Sequence, residues 1–176
     1  MSRPTYRVMT VCTGNICRSP MAEVILAHRF VQAGLGDVVQ VDSTGISDEE
    51  HGRPIDPRAR RVLAAHGYDV PAHAARRVRR EDVTARDLLL PMTASHARAL
   101  RALAPDDGVA DRVRMLRSFD LAAPTGGSEH LLDVDDPWYG DQAGFEVTLA
   151  EIEAAADGVV EYVRTELTAR GLLAAD

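Results

Sequence analysis

Near the amino end of this chain a strand runs through a tight turn directly into a helix, and that junction narrows the possible folds. Tyr6-Arg7-Val8-Met9-Thr10-Val11 is rich in β-branched and apolar residues and reads as a strand. Cys12 to Ser19 makes the turn. Ser19-Pro20-Met21-Ala22-Glu23 then opens a helix, with Ser19 as its cap, Pro20 suited to the first turn, and Met21, Val24, Ile25 and His28 at helical spacing. Gly34 and Gly36 stop it.

The same alternation continues downstream. Val38 to Val41 is a short strand, and residues 44–57 are a loop punctuated by Gly45, Gly52, Pro54 and Pro57. Asp56-Pro57 starts a second helix that runs to His66-Gly67. Asp87 to Leu90 reads as a buried strand, Ser95 to Ala104 as a helix, and Val113 to Leu116 as a fourth strand. Residues 121–144 form a Gly/Pro/Asp-rich connection, and Phe145 to Arg170 is a closing helix. Strands alternating with helices predict an α/β fold: a four-stranded parallel sheet with helices on both faces, in a single domain over residues 1–176. In such sheets ligands bind at the carboxyl ends of the strands, which puts residues 12–19 at the mouth of the site.

Composition agrees with this reading. The chain has 176 residues, 45% hydrophobic and 27% charged, which excludes disordered and fibrous classes. No apolar run approaches the ~20 residues of a membrane span. The start lacks the pattern of a secretory leader, so the cytoplasm is the expected location, with leaderless export left open. The net charge of −7 weighs against nucleic acid as a partner. All 20 basic residues are Arg, and 14 of them lie in residues 53–117, which reads as a solvated basic face. Cys12 and Cys17 are the two cysteines, too few for a metal site by themselves.

The turn Cys12-Thr13-Gly14-Asn15-Ile16-Cys17-Arg18-Ser19 carries the chemistry. Gly14 and Asn15 both tolerate positive φ, so the loop can turn its N–H groups inward as an anion nest. The helix N-terminus adds its positive end, and Arg18 adds a planar fork for two oxygens of a phosphate. A thiol at Cys12 is favoured as thiolate in that field, a nucleophile facing a cradled phosphorus. Displacement of an alkoxide or phenolate also needs a general acid, for which Asp133, Asp135 and Asp136 are candidates on chemistry alone.

The string Val11-Cys12-Thr13-Gly14-Asn15-Ile16-Cys17-Arg18-Ser19-Pro20 closely resembles the phosphate-binding loop of the low-molecular-weight protein tyrosine phosphatases. Asp42-Ser43, Gly52-x-Pro-x-Asp-Pro, His66-Gly67, Arg114-Met115-Leu116 and Asp136-Pro137-Trp138-Tyr139-Gly140 follow in family order, most like actinobacterial-type members. The resemblance implies hydrolysis of phosphotyrosine monoesters through a phosphocysteine on Cys12. Thr13, Gly14, Asn15, Ile16, Cys17, Arg18 and Ser19 would hold phosphate, Ser19 would help the Cys12 sulfur leave, and Asp136 would be the general acid and base. Asn15 would hold the loop shape, with Ser43 and His66 behind it. Cys17 would either protect Cys12 as a reversible disulfide or pack beneath the loop. No cofactor and no metal are implied, and the implied partners are tyrosine-phosphorylated proteins, with phosphate or a similar oxyanion in the loop and neither nucleic acid nor membrane.

Two departures stand out. Where bacterial members often carry Trp-His beside the pocket, this chain has Glu49-Glu50, leaving Glu49, Trp138 and Tyr139 as the expected substrate wall. Met92-Thr93-Ala94-Ser95 stands where the family usually has Asp and Asn. Alternatives are a phosphopeptide-binding pseudo-phosphatase and, on the same scaffold, an arsenate reductase, which would need downstream cysteines that this chain lacks. His28, His51, His73, His96 and His130 carry no partner pattern and read as surface residues.

Overall fold

A computed structural model describes residues 6–174, so the ends of the 1–176 span lie outside the described residues. Strand β1 (Tyr6–Cys12) occupies the middle of a three-stranded parallel sheet between β2 (Val39–Gly45) and β3 (Leu88–Pro91). Val8 pairs with both Val41 and Leu88, and Cys12 ends the register opposite Gly45.

Alternation along β1 divides the core. Tyr6 and Val8 pack with Leu88 and Leu90 under α1 (Arg18–Gln32), α2 (Pro57–Ala65) and the long α6 (Gln142–Ala169). Met9 and Val11 face the opposite way, with Leu89, under α3 (Arg80–Ala85), α4 (Ala94–Leu103) and the short α5 (Asp107–Ala110). Buried on both sides, the central strand is nearly all apolar, as a covered parallel sheet requires.

The fourth strand expected at Val113 to Leu116 is not formed. Val113 makes one bridge to Leu89, through Leu89 N–H to the Arg112 carbonyl and Arg114 N–H to the Leu89 carbonyl, each 2.9 Å. The next donor in that ladder would be residue 91, which is Pro and has no N–H. The chain instead folds into a 3₁₀ turn at Leu116–Phe119. The basic stretch is not simply a solvated face either. Arg76 and Arg86 clamp Asp42 and Asp82, and Arg101 holds Glu129.

Candidate active site

Five of the six carbonyls in the loop 12–17 are engaged by neighbouring groups. The Cys12 and Thr13 carbonyls accept from Ile46 and Ser47, the Ile16 carbonyl from Asp56, and the Cys17 carbonyl from Met21. The Asn15 carbonyl lies 2.6 Å from His73 Nε2. With its acceptors drawn into the scaffold, the loop presents N–H groups to the interior. Among the described residues no protein acceptor takes the N–H of Gly14, Ile16 or Cys17.

Asn15 supplies the left-handed step, with φ at 61°. Gly14, which could also tolerate a positive φ, does not adopt one. The Asn15 side chain is buried and fully used: Nδ2 donates to Ser19 Oγ and to Ser43 Oγ, both at 2.9 Å, and Oδ1 accepts the Arg76 N–H at 3.0 Å. The Ser43 hydroxyl donates in turn to Glu23 Oε2 at 2.5 Å. Burial pushes the Glu23 carboxyl above its ordinary range, against the pull of that hydrogen bond and of nearby His73. Close approach is also required at Gly45, where a Cβ would stand 2.5 Å from the Thr13 carbonyl oxygen and 3.0 Å from the Asn15 nitrogen.

Cys12 lies at the floor. Its Sγ is 3.0 Å from Ser19 Oγ and accepts the Asn15 N–H at 3.3 Å. Ser19 is not the helix cap that the sequence suggests. The cap position is Cys17, without a side-chain bond, and Ser19 sits in the first turn with its hydroxyl between Cys12, Asn15 and the Thr44 carbonyl. Arg18 is buried. Its Nη1 donates to the Val134 carbonyl at 3.0 Å, Nη2 faces Asp136 Oδ2 at 3.2 Å, and Nε has no partner among the described residues. A buried guanidinium N–H left open beside a thiol is a group reserved for an anion.

These residues line a pocket of about 190 Å³ with Cys12, Thr13, Gly14, Ile16, Cys17 and Arg18 on one side. Glu49, Glu50, Asp136, Trp138 and Tyr139 form the rest of its wall, with Glu50 also paired to Arg53 at 3.1 Å. Of the competing carboxylates, Asp133 is spent on the Ala94 N–H at 2.7 Å, and Asp135 is not among the residues that line the pocket. Asp136 Oδ1 accepts the Trp138 N–H, which leaves Oδ2 toward Arg18. Cys17 is a buried free thiol, and burial beside Asp56 pushes its pKa well above the ordinary thiol range. Among the described residues no cluster of three or more His, Cys, Asp or Glu is placed to hold a metal ion.

His66 is not behind Asn15. It is partly exposed and pairs with Glu146 at 2.8 Å. His73 takes that place, and Glu23 completes the chain, while His96, expected at the surface, is 3% exposed beneath Thr13. Arg58 also escaped the sequence reading. It grips Asp56 with Nε and Nη2, donates from Nη1 to the Trp138 and Gly140 carbonyls, and lies 4.7 Å over the Phe145 ring. Because the Asp56 N–H holds the Ile16 carbonyl, this residue ties the 136–140 segment to the phosphate loop.

A thiol, an anion nest, a buried guanidinium and an opposing carboxylic acid define a cysteine-based phosphate-ester hydrolase site. The family model for low molecular weight phosphotyrosine protein phosphatases matches residues 7–169, and the chain belongs to that family. It is 47% identical over 166 residues to the low molecular weight protein-tyrosine-phosphatase of Streptomyces coelicolor, covering 94% of this chain and 98% of the relative. It is likewise 47% identical over 171 residues to the low molecular weight protein-tyrosine phosphatase A of Mycobacterium tuberculosis, covering 97% and 99%. A solved protein tyrosine phosphatase from Entamoeba histolytica, with Hepes in its active site, superposes with a TM-score of 0.84 at 25% identity, covering 92% of this chain and 98% of that one.

Proposed function

We propose that this chain hydrolyses phosphotyrosine monoesters in two displacements at phosphorus. The Cys12 thiolate attacks, the S–P bond forms, and the P–O bond to the tyrosine oxygen breaks. The protonated Asp136 carboxyl delivers its proton to that oxygen, so a phenol leaves rather than a phenolate. Water then attacks the phosphocysteine, Asp136 takes the water's proton, and the thiolate departs with a hydrogen bond from Ser19. Charge on the equatorial oxygens is met throughout by the loop amides and Arg18.

The observation that carries this reading is the open Arg18 Nε beside the Cys12 thiol in the pocket that also holds Asp136. Trp138 and Tyr139 would flank the substrate ring, and the carboxylates of Glu49 and Glu50 favour phosphopeptides with basic residues nearby. Two free thiols fit a reducing compartment, hence cytoplasmic tyrosine-phosphorylated proteins as substrates. Among the described residues no helix is long and apolar enough to cross a membrane. The test is rapid acid quench during turnover of p-nitrophenyl phosphate, followed by mass spectrometry. A phosphoryl group on Cys12 supports the reading, and its absence during measured turnover refutes it.

A further inference from the structure

One buried side chain at the pocket has no part in the scheme above. His96 lies in the first turn of α4, with Nε2 2.9 Å from Thr13 Oγ1. Its Nδ1 is buried without a partner among the described residues. Thr13 itself is exposed and lines the pocket. Its Oγ1 receives a further N–H from Arg18 Nη2 at 3.4 Å, the nitrogen that also faces Asp136.

A hydroxyl has one proton and two lone pairs. If the imidazole proton sits on Nδ1, a buried N–H is stranded, and the Thr13 proton is drawn to Nε2, away from the pocket. If it sits on Nε2, the ring donates to one lone pair of Thr13 Oγ1 and Arg18 donates to the other. The hydroxyl proton then has one direction left, into the pocket. Stranded buried N–H groups are rarer than stranded acceptors, which favours the second arrangement. Burial, with Arg18 close by, keeps the ring neutral, its pKa pushed down to about 4, so the ring carries a single proton at neutral pH.

We propose that the Thr13 hydroxyl donates a hydrogen bond to the phosphoryl group held in the loop, and that His96 is the positioning residue that turns its proton there. This rests on the phosphatase reading above. The loop amides and Arg18 Nε, none of which contacts the Thr13 hydroxyl, bind the same group, so the added donor adjusts affinity for the phosphoryl group and does not create it.

Single and double variants test this, read by kcat/KM on p-nitrophenyl phosphate and by inhibition with inorganic phosphate. Thr13→Val and His96→Leu should each lower kcat/KM about tenfold and weaken phosphate inhibition similarly, the loss of one hydrogen bond to a charged group. Thr13→Ser should stay within about twofold of wild type, and the double variant should be no worse than Thr13→Val alone. Losses that multiply toward a hundredfold, or a silent Thr13→Val in an active enzyme, overturn the proposal and leave the phosphatase reading intact. An inert, folded wild type removes both. If His96→Leu fails to fold, long-range ¹H–¹⁵N correlation of the wild-type ring decides: a proton on Nε2 supports the assignment, and one on Nδ1 contradicts it.

Discussion

Arg18 and Asp136, which line the same pocket, meet at 3.2 Å between Nη2 and Oδ2. The pairing joins the proposed phosphoryl-binding group to the proposed general acid. It predicts a leaving-group signature. Asp136→Asn should lower kcat/KM, which reports the steps up to release of the phenol, on phenyl phosphate by about 10²–10⁴-fold. The loss on p-nitrophenyl phosphate should be much smaller, because that phenolate departs with less help from a proton. Equal losses on the two esters would remove Asp136 from the acid role.

Gly45 is the point where β2 passes under the loop. A Cβ there would stand 2.5 Å from the Thr13 carbonyl oxygen, and backbone does not yield as a flexible side chain does. Gly45→Ala should cost about 1–3 kcal/mol of stability and weaken inhibition by phosphate more than it lowers the melting temperature alone would explain. Calorimetry and phosphate titration on the same variant check this, and a variant with wild-type phosphate affinity contradicts it.

Glu49 is exposed and lines the pocket together with Trp138, and on the proposed reading an aromatic at this position would stack on the substrate ring. Glu49→Trp should lower KM for an aryl phosphate about two- to tenfold with kcat little changed, the size of one ring–ring contact of about 0.5–1.5 kcal/mol. An unchanged KM sinks this account of the wall.

What the sequence made legible was local. Cys12 through Arg18 could be read because nest, helix end and guanidinium lie within one turn of chain, and the structure brings them into one pocket. Contacts set by distant partners were hidden. Nothing near Val113 announces that its partner strand ends in a residue with no N–H. His66 and His73 look alike in sequence. Only the irregular segment around Ala75, held to Arg53 and Gly52, carries His73 to the Asn15 carbonyl. Glu23 had a signal, since it stands four residues after Ser19 and so shares a helix face with it. His96 gave none, because the polar contact that explains it comes from Thr13 on another element.

The buried imidazole also predicts an acid sensitivity. Burial, and then Arg18, lower the His96 pKa from 6.5 to about 4, with Asp133 opposing. Between those values the unfolded chain binds a proton that the folded chain refuses. The stability concerned is therefore complete above pH 6.5 and is lost as pH falls toward 4, by at most about 3 kcal/mol. Denaturant titrations across that range should show the stability of wild type relative to His96→Leu falling as pH falls. Parallel curves would show that His96 titrates normally.

The proposed chemistry depends on Cys12 more than on any other residue. Its most direct test is hydrolysis of p-nitrophenyl phosphate by wild type and Cys12→Ser, both shown to be folded. Turnover by the wild type with a loss of at least about 10³-fold in Cys12→Ser is the predicted result, by analogy with removal of other enzyme nucleophiles. A folded wild type that releases no p-nitrophenol, or a Cys12→Ser variant that keeps its rate, would contradict it.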